Sequence, residues 1–481
     1  MIIERNKLSI FYGISFLYLI LSAFCLYNEF YWIAALPVLI LIGTLTIVSI
    51  DSLMMLIVFF TPLAINLSDE NSGSGMSIPT EPLLFGLMVI FFIKLFHEGG
   101  FDKKILKHPI TILIIINLGW MAITSLTSTM PLVSLKYFIS RLWFVVVFYF
   151  LGTQLFKNYP DIKKFIWMYV IPLLGVIGYT TYRHISFGLT EKSAHWVMSP
   201  FYNDHTAYAA AIAMFVPIMT AMLFHKKYSA RFKFVVLIVN LILLSAIILS
   251  YTRAAWIGLV IALLVYVLFL FKIKGSIVFT TAFVCISGYF IFQKEITMKL
   301  EKNRQDSSSD YKAHIQSMSN ISTDASNLER INRWKSAFRM FYKKPFLGWG
   351  PGTYSFKYAP FQHAKDMTII STNSGNKGNA HSEYIGPLAE SGVLGSLSFI
   401  AIAIMSIFTA SRLYIKLKNA EMRMIVMGIL LGLITYYVHG MLNNFLDTDK
   451  ASVPFWGFIA ILVTIDIYHH QADLEKHKPT A

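Results

Sequence analysis

Three places in the sequence set a charge or a titratable ring at the end of a long apolar run. Arg253 lies in Ser250-Tyr251-Thr252-Arg253-Ala254-Ala255-Trp256, a tight turn between two such runs. An arginine beside lipid is costly unless it is paired or faces a cavity. The plainer reading is an interfacial arginine that snorkels to the headgroups, but snorkelling needs neither particular neighbours nor so tight a turn. Arg330 and Arg333, in Glu329-Arg330-Ile331-Asn332-Arg333-Trp334, offer planar guanidinium forks that grip phosphate through paired hydrogen bonds, or else form a solvated helix face. His381, in Asn379-Ala380-His381-Ser382-Glu383-Tyr384, titrates near neutrality and suits a general base, although a lone histidine is more often structural. Glu383 and Glu390 are close enough in sequence to orient it. Arg141, in Ser140-Arg141-Leu142-Trp143, and Arg183 are weaker candidates for further phosphate contacts.

Metal chemistry finds little support. Asp447-Thr448-Asp449 offers two carboxylates, but in a short loop with Lys450, and a solvated loop is the plainer reading. His469-His470 has no third ligand in sight. Cys25 and Cys285 both fall inside apolar runs, so neither a disulfide framework nor a thiolate site is implied. No metal or cofactor is expected.

The elements that carry these residues are membrane spans. Of 481 residues, 56% are hydrophobic and 14% charged, against about 25% charged in soluble domains. Apolar runs long enough to cross about 30 Å of hydrocarbon recur from end to end, and such spans must be helical because lipid offers the backbone no hydrogen-bond partner. The candidates lie near 8–27, 31–49, 52–67, 82–96, 109–127, 137–156, 165–187, 205–224, 233–250, 253–271, 275–293, 388–411, 423–442 and 452–469. The expected fold is an all-α polytopic bundle of about 12–14 spans. The first run lacks a small-residue cleavage site and reads as a retained span. The net charge of +15 belongs to loops rather than to a soluble basic domain, so nucleic acid is not an expected partner.

Lysine and arginine set the orientation. With the N-terminus cytoplasmic, the loops on that side hold Lys103, Lys104 and Lys107; Lys157, Lys163 and Lys164; Lys226, Lys227, Arg231 and Lys233; Lys272 and Lys274; and Arg412, Lys416, Lys418 and Arg423. The opposite short loops are poor in basic residues: 66–82 has none, and 443–452 has Lys450 alone. This asymmetry retains both termini in the cytoplasm and places the long hydrophilic stretch outside. The chain thus divides into a bundle at 1–293, a large outer loop at 294–386, closing spans at 387–470 and a cytoplasmic tail at 471–481.

Within the outer loop, Ser326-Asn327-Leu328-Glu329 reads as a capping box, and the helix it starts stops before Pro345. Ile331, Trp334, Phe338 and Phe341 share one face, suited to packing on the membrane surface or on neighbouring spans. Gly348-Trp349-Gly350-Pro351-Gly352 is a turn, and 371–380 reads as a mobile polar loop.

Three stretches together resemble the O-antigen ligase and polymerase superfamily of membrane glycosyltransferases. They are Ser250-Tyr-Thr-Arg253-Ala-Ala-Trp-Ile-Gly258; Glu329-Arg330-Ile-Asn-Arg333-Trp334 followed by Lys344-Pro345-Phe-Leu-Gly348-Trp-Gly350-Pro-Gly352; and Ala380-His381-Ser382-Glu383-Tyr384 followed by Glu390-Ser-Gly392-Val-Leu-Gly395. Ser382 stands where the family usually has asparagine. The resemblance covers about 195–445. It implies a GT-C-like bundle that moves a glycan from an undecaprenyl-diphosphate carrier to an acceptor hydroxyl at the outer leaflet of the inner membrane. The acceptor is a glycolipid (lipid A-core, in a ligase), a growing polysaccharide or a protein. Arg253 and Arg330 would steady the diphosphate leaving group, His381 would take the acceptor proton, and Arg141, Arg183, Arg333 and Glu383 would contact substrate. The reaction would invert the anomeric carbon without a metal. A transporter is the alternative class, but it would gather charge near the membrane midplane, whereas here charge collects at one face.

Overall fold

A computed structural model of the chain describes residues 2–28, 49–69, 74–97, 99–273, 325–368, 371, 378–470 and 473–474. The expected spans near 31–49 and 275–293, Cys285, the first part of the large loop and most of the 371–380 stretch lie outside the described residues.

Residues 1–57 and 58–481 form two units. The first holds α1 (Ile2–Tyr27), and α2 (Ile50–Phe60) runs across the boundary. In the second unit, β1 (Ile65–Asp69) and β2 (Ser74–Ile78) pair antiparallel, with Ile65 opposite Ile78; the sequence reading has a plain loop here. Spans α3 (Thr80–His97), α4 (Pro109–Leu126), α5 (Pro131–Leu155), α6 (Tyr159–Ser186), α7 (His205–Phe224), α8 (Ala230–Leu249) and α9 (Arg253–Leu270) follow. Then come α10 (Ala325–Lys343) and the closing spans α11 (Ile385–Lys416), α12 (Ala420–His439) and α13 (Asp449–His469). Among the described residues, ten helices are long and apolar enough to cross a membrane, and the fold is an all-α polytopic bundle.

Local chemistry starts the helices where they start. Asp204 caps α7 by accepting from the Thr206 and Ala207 amides at 2.7 and 2.8 Å. Ser229 caps α8 through the Phe232 amide, Asn419 caps α12, and proline opens α4 and α5, where a missing N–H costs nothing. Packing then sorts the spans. The most apolar, α8, is largely exposed, while α7, α12 and α13 are largely buried, because lipid rewards apolar surface as well as a protein core does. The central pair α7 and α12 meets through small residues. A Cβ on Gly428 would lie 2.9 Å from Ile218, and one on Gly432 only 2.3 Å from the Met214 carbonyl oxygen, so glycine four residues apart lets the backbones touch.

The helix α10 begins at Ala325, which puts Ser326 inside the helix rather than at its cap. Glu329 is not spent on a capping box: its carboxylate accepts from Arg333, Ser371 and Thr368. The buried face of α10 is Asn332, Arg333, Ser336, Ala337 and Met340, while Ile331, Trp334, Phe338 and Phe341 stay partly exposed. The polar face turns inward because its groups find partners there, such as Asn332 to Gln362 at 2.8 Å. Ala337 and Met340 pack with Tyr354, Tyr358, Ala380 and Ala389 into a small core, and α10 does stop before Pro345.

The 345–352 turn is a clasp. Gly392 interrupts α11 with φ +69°, and a Cβ there would lie 2.0 Å from the Phe346 carbonyl oxygen. Val393 donates to the Pro345 carbonyl at 2.9 Å and Gly350 to the Glu390 carbonyl at 2.8 Å, while the Glu390 carboxylate accepts from the Tyr354 amide at 2.9 Å. The turn also reaches α5, where Ser134 donates to the Pro351 carbonyl. The two glycine motifs of the sequence thus hold each other, and the hold anchors the first turns of α11, which follow His381 in the chain.

Candidate active site

His381 has φ +48°, a conformation that a side chain with a Cβ adopts at a cost of about 1–3 kcal/mol. Its surroundings impose it. The Asn379 side chain accepts from the His381 amide at 3.0 Å, and the Glu383 amide donates to the Gly440 carbonyl at 2.8 Å. Leu189 and Tyr251, also with positive φ, lie at the same end of the bundle, joined by the Tyr251 hydroxyl on the Leu189 carbonyl.

Arg330 donates from Nε to the Leu442 carbonyl at 3.2 Å, which brings α10 over the end of α12. Burial, and then the charges of Arg330 and Arg333, push the His381 imidazole down to about 4, with Asp204 and Glu329 opposing. The ring is therefore neutral near pH 7 and able to accept a proton. Around Arg330 gather groups the sequence reading does not single out. His205, the first residue of α7, has the His195 ring 4.1 Å away. His439, buried at the last turn of α12, holds Asn443 at 3.1 Å and lies within electrostatic reach of Asp204, His205 and Arg330. The Nδ1 atoms of His205 and His439 are buried with no hydrogen-bond partner among the described residues. A signal for both exists in the sequence: each is a histidine at a span end on the same side as His381.

Arg253 opens α9 at this end, and the preceding Thr252 donates its hydroxyl to the His205 carbonyl at 3.2 Å. Arg333 works on the scaffold. It binds Glu329 at 2.8 Å and the Asn379 carbonyl at 3.2 Å, and covers the Tyr358 ring. It thus ties down the chain two residues before His381.

Three other candidates have different partners. The Glu383 carboxylate accepts from the Tyr436 hydroxyl and from the Phe445 and Leu446 amides at 2.7–2.9 Å, so it shapes the 440–446 loop. Arg141 is buried on α5, 3.1 Å from the Tyr137 hydroxyl, and lines a small cavity with Glu383, Glu390 and Trp456. Arg183 donates to the Val197 and Ser199 carbonyls and lies over Tyr179 and Trp196, stapling the loop before α7. No hydrogen bond or ion pair among the described residues brings Arg141 or Arg183 into the histidine cluster.

The 447–450 loop is also not simply solvated. Asp449 and Lys450 are buried. Asp449 accepts from Thr80 at 2.5 Å, and Lys450 donates to the Thr61 and Ala64 carbonyls, because the hairpin and α3 close over them. Among the described residues no group of three His, Cys, Asp or Glu side chains has the arrangement of a metal site.

Residues 238–400 match the family model described as O-Antigen ligase. The stretch runs from within α8 through Arg253, Arg330 and His381 to the middle of α11, and so takes in all three motif-bearing positions. No curated protein matches the chain. Over residues 238–400 this integral membrane protein is thus similar to the O-antigen ligase family.

Proposed function

We propose that the protein transfers a glycan from an undecaprenyl-diphosphate carrier to an acceptor hydroxyl at the periplasmic face of the inner membrane, with ligation to lipid A-core as the leading case. The observation that carries this reading is the cluster of neutral imidazole and guanidinium at one end of the spans: His381 beside Arg330, with His205 and His439 behind them. Guanidinium set among neutral imidazoles suits an anionic diphosphate at the membrane surface. In this reading His381 takes the proton from the acceptor hydroxyl, whose oxygen attacks the anomeric carbon. The bond from that carbon to the diphosphate oxygen breaks, and the carrier diphosphate leaves with its new negative charge held by Arg330 and Arg253. Attack opposite to the leaving group inverts the carbon. Diphosphate beside Arg330 also offsets the positive field on His381, so a bound donor strengthens the base it needs. The arginines supply the positive charge here without a divalent ion.

The test is transfer by purified protein with a lipid-linked donor and separate glycolipid, polysaccharide and protein acceptors. His381→Ala is expected to lower transfer per folded molecule by about 10²–10⁴ and to leave donor binding intact. Full transfer by well-folded His381→Ala would remove the histidine from the mechanism. Loss of transfer with a chelator, restored by a divalent ion, would overturn the arginine-only account.

A further inference from the structure

The end of the bundle away from His381 holds a cavity of about 680 Å³, within the ~300–1,000 Å³ of ligand sites. Its walls are almost wholly apolar, mostly from α7, α9 and α12, and include Leu259, Leu263, Met427 and Leu431. Leu263 is largely exposed, so the cavity opens sideways, toward lipid. Along α12 it runs from Ala420 to Leu431, about 16 Å at ~1.5 Å per residue. That is half of the ~30 Å hydrocarbon layer, the depth of one leaflet.

Two polar groups stand at its mouth. His225 is buried, and its Nδ1 has no hydrogen-bond partner among the described residues. The exposed Arg423 guanidinium lies 5.0 Å over the Tyr414 ring and makes no hydrogen bond or ion pair among the described residues. Three other cations at this end are held by carboxylates: Lys157 by Asp102, Lys163 by Glu421 and Arg412 by Asp466. No carboxylate lines the cavity, and Glu421, the nearest in sequence to Arg423, already binds Lys163 and Tyr228. An apolar slot one leaflet deep with a cation and an imidazole at its rim is complementary to an acyl chain under a phosphate.

We propose that this cavity holds one anionic phospholipid of the adjoining leaflet, an acyl chain inside and its phosphate on Arg423 and His225. The inference does not depend on the transfer reaction, and its readout is lipid retention rather than activity. The full-length protein would be exchanged into vesicles of dioleoyl phosphatidylglycerol and dioleoyl phosphatidylcholine in equal parts, then extracted, and its retained lipid counted by native mass spectrometry. Wild type is expected to retain the phosphatidylglycerol roughly tenfold over the phosphatidylcholine, the worth of one charged contact. Arg423→Gln is expected to bring the two to parity, and Leu263→Trp, which fills the slot, to remove the retained lipid altogether. Arg423 is exposed, so its variant tests the idea even where the tryptophan variant folds poorly. Equal retention of both lipids by wild type, or unchanged preference in Arg423→Gln, overturns the proposal.

Discussion

The two ends of the bundle hold their charges in different ways. At the end away from His381, three carboxylates each hold a cation: Lys157 and the Tyr468 hydroxyl on Asp102, Lys163 and the Tyr228 hydroxyl on Glu421, and His108, Arg412 and His470 around Asp466. At the other end Arg253, Arg330, His195, His205, His381 and His439 gather, while Asp204 is spent on the amides of α7 and Glu329 on Arg333 and Ser371. Paired charges of the first kind close a structure off. The second kind sets guanidiniums among imidazoles, where the local potential is raised and favours a bound anion. The backbone agrees, since His381, Tyr251 and Leu189 carry positive φ at the second end.

The comparison is broken most forcefully by removing one arginine from each end. Arg330→Ala is expected to lower donor binding and to reduce transfer by about 10²–10³, with lysine restoring only part, because a point charge lacks the fork. Arg412→Ala, whose guanidinium is paired with Asp466, is expected to leave transfer within about twofold of wild type. Equal losses from both, in transfer assays of folded protein, would mean that the ends do not differ in function.

Next is the clasp at the start of α11. Gly392→Ala forces an alanine into the left-handed region, about 1–2 kcal/mol, and drives a Cβ against the Phe346 carbonyl, about 1–3 kcal/mol more. Thermal unfolding is expected to show that loss. A variant as stable as wild type would mean that the turn yields freely.

The pH profile sharpens the contrast. With His381 held down at about 4, kcat/KM is expected to stay level on acidification from pH 7 to about 5, where an ordinary histidine near ~6.5 would be mostly protonated. In Arg330→Gln the acid limb should move upward, because one charge that depresses the ring is gone. The stability sign follows. Between those two values the unfolded chain binds a proton that the folded chain refuses, so the folded state loses stability as pH falls through ~6.5 toward about 4. An acid limb of wild-type kcat/KM at ~6.5 contradicts this environment for His381.

The smallest effect belongs to the paired end. The Tyr468 hydroxyl, opposed by burial and helped by Lys157 and the Lys104 amide, holds the Asp102 carboxyl at about 2. This depressed value contributes stability above the usual carboxylate range that is lost as pH falls toward about 2. Asp102→Asn is expected to cost under about 1 kcal/mol, as exposed pairs do, with transfer unchanged. A larger fall in the unfolding midpoint would show that the pair is shielded from solvent.

The sequence determines what is local. Apolar length alone marks the spans, because a helix in lipid satisfies its backbone within itself, and α7 runs over the same residues that apolarity marks. Arg253, Arg330 and His381 stand out because charge and imidazole are rare beside such runs. Tertiary structure decides what depends on distant partners. Glu383 is drawn to Tyr436 and the 445–446 amides, and Arg183 to the loop carbonyls at 197 and 199. Lys450 is buried against Thr61 and Ala64, more than 380 positions away in the chain. The polar rather than the aromatic face of α10 turns inward because Gln362 and Ser371 wait there for Asn332. His205 and His439 show in sequence only as histidines at span ends, and acquire their neighbours when α7 and α12 pack through Gly428 and Gly432. A side chain's type is written in the chain, but its hydrogen-bond partner is chosen by whichever segment the fold brings within about 3 Å.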